Sequence, residues 1–237
     1  MLDFASIPES ERIIVALDCD ERRARELADQ LAGRATWLKI GMTLFYQAGP
    51  SIVANLKDLG FKVFVDLKLH DIPHQVKGAA QAVALSGADM ITMHSCGGVD
   101  MMRAALEGIA ELELQTNPIT LGITVLTSMS QDDLTSIGVE RPMAEQVESL
   151  ALLAQKAGLD GVVASPQEAE TLRVLLGAHA AIVTPGVRPV GAALGDQTRV
   201  ATPRKAFDAG ASHLVIGRPI TEADVPAEAF DAIVKGL

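Results

Sequence analysis

The stretch VFVDLKLHDIPHQV, residues 63–76, opens as a buried strand and then changes character. Val63, Phe64 and Val65 are the β-branched and aromatic residues that suit a pleated interior. Asp66, Lys68, His70 and Asp71 follow at once. Asp66 and Lys68 are two apart, so on a regular strand their side chains point to one face. Pro73 then suits the first turn of a helix, where its missing N–H leaves no bond unmade. A strand that ends in charge and passes straight into a helix is the repeating unit of a parallel sheet with helical crossovers.

The rest of the chain repeats that unit. Strand candidates are RIIVALD (12–18), TWLKIG (36–41), KVFVDLKL (62–69), MITMHS (90–95), ITLGITVLT (119–127), GVVAS (161–165), AIVTPGV (181–187) and HLVIGR (213–218). Ala/Leu/Glu-rich stretches with helical spacing lie between them, such as ERRARELADQLAG and MAEQVESLALLAQKAG. Gly33, Gly60, Gly87, Gly158, Gly177 and Gly210 punctuate helix ends. Near-continuous apolar strands alternating with helices predict a parallel sheet covered on both faces. Eight such repeats in 237 residues favour an α/β fold of the closed (β/α)8 TIM-barrel type over an open doubly wound sheet. No linker or shift in composition divides the chain, so one domain over residues 1–237 is expected.

Composition narrows the function. A net charge of −10 and a pI near 4.9 argue against a nucleic-acid or membrane-surface role, since both need a basic face. Aromatic residues make up 3%, too few for a base-stacking platform. Cys19 and Cys96 form neither a C-x-x-C pair nor a zinc spacing and read as reduced thiols. The acidic opening MLDFASIPESER has no apolar core of a signal peptide, and no apolar run approaches the ~20 residues of a membrane helix. A cytoplasmic protein is expected.

Polar groups recur at the C-terminal ends of the strands: Asp18, Lys39, Asp66 with Lys68, His94, Thr127, Ser165, Arg188 and Arg218. On a barrel these ends converge on one mouth, where barrel enzymes hold their chemistry. An isolated Asp-x-Lys is more often a structural ion pair, but a row Lys39–Asp66–Lys68–Asp71 sums to zero charge and would be costly to bury unpaired. The loops after strands seven and eight often build a phosphate site in barrels. Gly217 allows close backbone approach there, and Arg188 and Arg218 supply planar bidentate donors. The segments 128–142 and 188–203 are the least regular, and the glycines of the second suggest a flap.

DLKLHDIP resembles the D-x-K-x-x-D-I-P signature of the orotidine 5′-phosphate decarboxylases. VALD, LKIG, LTS, TPGVR, GDQTR and IGRPI extend that resemblance over nearly the whole chain. It implies conversion of orotidine 5′-phosphate to uridine 5′-phosphate (UMP) with no metal or organic cofactor, in a homodimer with shared sites. Lys68 would donate a proton to C6 of the pyrimidine, and Asp66 would lie near the departing carboxylate. Lys39 and Asp18 would hold the ribose hydroxyls and the charged row. Asp71 would act in the partner subunit's site. Arg188 and Gln197 match phosphate contacts, and Thr127 and Ser128 match hydroxyl donors near the nucleotide. The sequence departs from the family's usual Asn-Thr after D-I-P, whose Thr would lie near the ribose of the partner's ligand, and carries His74 and Gln75; Gln75 can still donate and accept a hydrogen bond.

Two rivals remain. Metal-dependent sugar-phosphate decarboxylases share D-x-K-x-x-D but carry an acidic residue where Lys39 stands. A non-catalytic nucleotide-binding barrel would not need the complete charged row. His70 and His94 read as structural groups at strand ends, and His74, His179 and His213 lack metal-ligand spacing.

Overall fold

The structure is a computed structural model that describes residues 3–188 and 201–237. Eight parallel strands close into a barrel in sequence order: β1 (Ile13–Leu17), β2 (Trp37–Gly41), β3 (Lys62–Leu69), β4 (Met90–His94), β5 (Ile119–Ile123), β6 (Gly161–Val163), β7 (Ala181–Thr184) and β8 (His213–Ile216). β1 pairs with β8, which completes the ring. Helices fill the intervals, and the one after β3 spans Pro73–Leu85 with Pro73 in its first turn. The six glycines expected at helix ends all take φ between 73° and 98°, the left-handed region that a side chain would resist.

Burial follows the two-residue period of the strands. Ile13, Val15, Leu17, Leu38 and Val65 face the helices in one large core. Ile14, Trp37, Phe64, Met90, Leu121 and Val215 face inward and fill the barrel. Both faces of each strand are therefore dry, which is why the strands read as continuous apolar runs.

Most strands stop short of the ends their sequence suggests, and β5 and β6 show why. β5 ends at Ile123, not Thr127, and β6 ends at Val163, not Ser165. The causes are linked. Thr124 makes the last contact, donating both its N–H and its hydroxyl to the Val163 carbonyl. With β6 only three residues long, the chain beyond Thr124 has no ladder partner and turns away.

The closed end of the barrel is plugged from the N-terminus. Phe4 and Trp37 meet the His213 ring edge-on at 5.3 and 5.5 Å, and Nδ1 of His213 lies 3.1 Å from Ser212 Oγ. His213 is 2% exposed, and burial, with the Arg12 and Lys62 charges adding to it, pushes its pKa down to about 3. The unfolded chain takes up this proton near 6.5. The neutral ring's contribution to stability is thus complete above that pH and is lost as pH falls from there toward 3. Between pH 7 and pH 5 this group is expected to cost about 2 kcal/mol of stability. Urea unfolding at the two pH values measures it, with non-titrating His213→Gln as control. Equal pH dependence in the two proteins would contradict the assignment.

Candidate active site

The inward positions change from apolar to polar at one level of the barrel. On β3 the sequence is Phe64, Asp66, Lys68; on β2 it is Trp37 then Lys39; on β1, Ala16 is followed by Asp18 just past the strand. Above that level opens a cavity of about 580 Å³. Phe64, Ile123, Val163 and Val215 contribute its apolar wall. Its polar lining includes Asp18, Lys39, Asp66 and Lys68, together with Arg188 and Arg218. Its size and its mixture of apolar wall and few convergent charges suit a nucleotide-sized ligand.

The charged row is tightly wired. Lys68 Nζ donates to Asp66 Oδ2 at 2.9 Å, and Lys39 Nζ donates to Asp18 Oδ1 at 3.0 Å. Lys39 Nζ also lies 3.7 Å from Asp66 Oδ2, an ion pair without a hydrogen bond. Two ammonium groups and two carboxylates thus neutralise one another. Lys39 and Asp66 are each only 8% exposed. Burial disfavours both charges, but each is overruled by its neighbours. Asp66 and Asp18 hold the Lys39 pKa above its ordinary value. Lys39, Lys68 and the hydrogen bonds from Lys68 and Thr92 hold Asp66 below the ordinary carboxylate range. Both residues therefore stay ionised at neutral pH, as a preorganised electrostatic site requires. Gly41 leaves room for the row: a Cβ there would sit 3.2 Å from Asp18 Oδ1 and 3.3 Å from Lys39 Nζ.

Lys68 departs from the regular strand expected of it. Its φ is 53°, in the left-handed region that costs a residue with a side chain about 1–2 kcal/mol. The β3–β4 register shifts at this point, with Val65 opposite Ile91 but Leu69 opposite Met93. The bulge turns the Lys68 main chain so that its N–H meets the Thr92 hydroxyl at 2.9 Å, and that hydroxyl donates to Asp66 Oδ1 at 2.9 Å. A hydrogen bond to a charged group contributes about 1.5–3 kcal/mol, enough to offset the backbone cost. Sequence reading passed over Thr92 for His94. A lone inward threonine carries no signal until the strand opposite it is known.

The other expected residues fall into three groups. Thr127, Gly217, Arg188 and Arg218 line the cavity. Thr127 lies in the turn beyond β5 and Arg218 opens a short helix after β8, a correction to their placement on strands, while Arg188 lies past β7, as its place at the start of the irregular segment implies. Ser128 is exposed in that same turn and does not line the cavity, because β5 has ended and the chain has turned outward. Asp71 and Gln75 are also exposed and outside this chain's own cavity; Asp71 Oδ1 accepts the Ile72 N–H at the start of the helix. In this chain Asp18, not Asp71, completes the four-membered row. Gln197 lies outside the described residues, as does most of the segment expected to form a flap. His94 is half-buried with its ring 5.3 Å from that of His70, and burial, the neighbouring histidine and Lys68 lower its pKa. Among the described residues, no cluster of three or more His, Cys, Asp or Glu is placed to hold a metal ion. No described helix is long and apolar enough to cross a membrane.

Comparison with known proteins agrees with this geometry. The sequence model of the family described as "Orotidine 5′-phosphate decarboxylase / HUMPS family" matches residues 11–233. The orotidine 5′-phosphate decarboxylase of Halorhodospira halophila is 50% identical over 233 residues, covering 98% of each chain. That of Pseudoalteromonas translucida is 46% identical over 230 residues, covering 97% of this chain and 98% of the relative. The crystal structure of orotidine 5′-phosphate decarboxylase from Lactobacillus acidophilus superposes with a TM-score of 0.85 at 39% identity, covering 95% of this chain and 98% of that one. A matching family model over nearly the full length, and relatives alike in both sequence and barrel, lead to one assignment: the chain belongs to the orotidine 5′-phosphate decarboxylase / HUMPS family.

Proposed function

We propose that this chain decarboxylates orotidine 5′-phosphate to UMP and CO2, the last step of de novo UMP synthesis. The observation that carries the reading is the Asp66 carboxylate held by the Lys39 and Lys68 ammonium groups in one cavity with Arg188 and Arg218. The arginines bind the phosphate, with Gly217 giving the backbone close approach and Gln197 adding a contact. Thr127 offers its hydroxyl to the nucleotide, and Asp18 and Lys39 hold the ribose. The pyrimidine then lies over the row with its carboxylate at Asp66.

In the reaction the bond from C6 to the carboxylate breaks, CO2 leaves, and the electron pair stays on C6. No electron sink in the ring takes it up, so the site itself must stabilise the anion. The Lys68 ammonium lowers the energy of that charge and then transfers its proton to C6. Asp66 holds the Lys68 ammonium in place through their 2.9 Å hydrogen bond. The close approach of Asp66 to the substrate carboxylate is a repulsion relieved as CO2 departs, a secondary contribution.

The active form is a homodimer, in the cytoplasm, with each subunit a single barrel domain over residues 1–237. Support comes from the start of the helix at 73: Asp71 and Gln75 face outward beside Ile72, an apolar residue 62% exposed. That arrangement suits delivery of Asp71, and of Gln75, into a neighbouring subunit's site.

No metal or organic cofactor takes part. The Lys39 ammonium stands between the Asp18 and Asp66 carboxylates, where a divalent cation would otherwise be drawn. Purified protein should therefore turn over orotidylate, followed by its absorbance, at the same rate with and without EDTA. Loss of activity in the chelator would favour the metal-dependent sugar-phosphate decarboxylases instead. Tight UMP binding with no turnover would favour a non-catalytic nucleotide-binding barrel.

A further inference from the structure

We propose that Thr92 is a positioning residue of the reaction, the clamp that sets the bulge in β3 and so fixes Asp66 and Lys68 relative to each other. The inference rests on the reading of Lys68 as proton donor. Thr92 is 1% exposed and does not line the cavity, so it cannot act on a ligand directly. It stands between Ile91 and Met93, opposite the point where four residue steps of β3 are spanned by two of β4. There the Lys68 N–H donates to the Thr92 hydroxyl at 2.9 Å. The same hydroxyl donates its proton to Asp66 Oδ1, leaving Oδ2 to face both lysines.

One hydroxyl group thus uses its donor on the carboxylate and an acceptor site on the backbone of the lysine that the carboxylate orients. Among the other buried threonines, the hydroxyls of Thr124 and Thr184 donate to main-chain carbonyls. That of Thr120 likewise donates to a carboxylate and accepts a backbone N–H, both of Asp160, but away from the cavity and from any lysine. Without the Thr92 hydroxyl the left-handed turn at Lys68 loses the group that accepts its N–H, and Asp66 Oδ1 loses its donor, so that only the lysine contacts on Oδ2 orient the carboxylate. Misplacement of a reacting group by about 1 Å can cost about 100-fold in rate.

The test compares Thr92→Val, which keeps the shape and removes the hydroxyl, with Thr92→Ser, which keeps the hydroxyl. Thr92→Val is expected to lower kcat by about 10- to 100-fold while KM for orotidylate changes less than about threefold, because phosphate and ribose contacts are untouched. Thr92→Ser is expected to keep kcat within about threefold of the parent. Full kcat in folded Thr92→Val overturns the proposal, as does an equal loss in both variants. Should Thr92→Val not fold, Thr92→Ser decides alone: retained kcat supports the hydroxyl's role, and a tenfold or greater loss refutes it. Lys68→Ala assayed alongside separates the two readings. Activity surviving in Lys68→Ala removes the proton-donor assignment and this inference together. An inactive Lys68→Ala with unimpaired Thr92→Val removes this inference alone.

Discussion

Lys68→Ala is expected to lose turnover of orotidylate by on the order of 10⁴-fold or more, while UMP binding stays within about tenfold. The size follows from the two duties combined in one group. A positioned general acid contributes about 10²–10⁴-fold, and one preorganised electrostatic donor about 10²–10³-fold. Binding should survive because other groups, Arg188, Arg218, Asp18 and Lys39, are proposed to hold the phosphate and ribose. The fold should survive as well. Asp66 keeps its hydrogen bond from Thr92 and its ion pair with Lys39, so the deletion does not strand a buried charge. Single-turnover assays and UMP titration of the purified variant give both quantities. Near-normal turnover would end the assignment.

The second large effect concerns the shared site. Asp71→Ala alone should be close to inactive, although Asp71 touches nothing in its own chain's cavity. When Asp71→Ala and Lys68→Ala proteins exchange subunits, each hybrid dimer regains one site with both residues present and one lacking both. A random equal mixture should therefore recover about a quarter of the parent activity, as expected for a symmetric two-site dimer. Recovery requires mixing, so two inactive proteins becoming active together cannot come from folding defects. Mass spectrometry of differently tagged subunits reports the exchange itself. No recovery after demonstrated exchange would remove Asp71 from the partner's site and leave it a helix-start residue.

These expectations depend unequally on sequence and on structure. The barrel was legible because its strands announce themselves twice, by continuous apolar runs and by the glycines that stop the helices between them. The site level was legible in β3 alone, where Phe64 gives way to Asp66. The strand ends were less so: ITLGITVLT contains nothing to say that pairing stops at Ile123, since that depends on how short β6 is.

The sequence by itself determined that charge would gather at one mouth of a parallel barrel. A residue's side of a strand follows from its parity, and parity is written in the order of residues. It also determined where the helix after β3 begins, through Pro73. Only the tertiary structure decided which charges meet. Asp18 rather than Asp71 closes the row within one chain, Lys68 takes a left-handed turn, and Thr92 comes to lie beneath them. Those outcomes hang on the register between neighbouring strands. In strands buried on both faces, apolar patterning constrains that register weakly, because a shifted pairing buries nearly the same side chains.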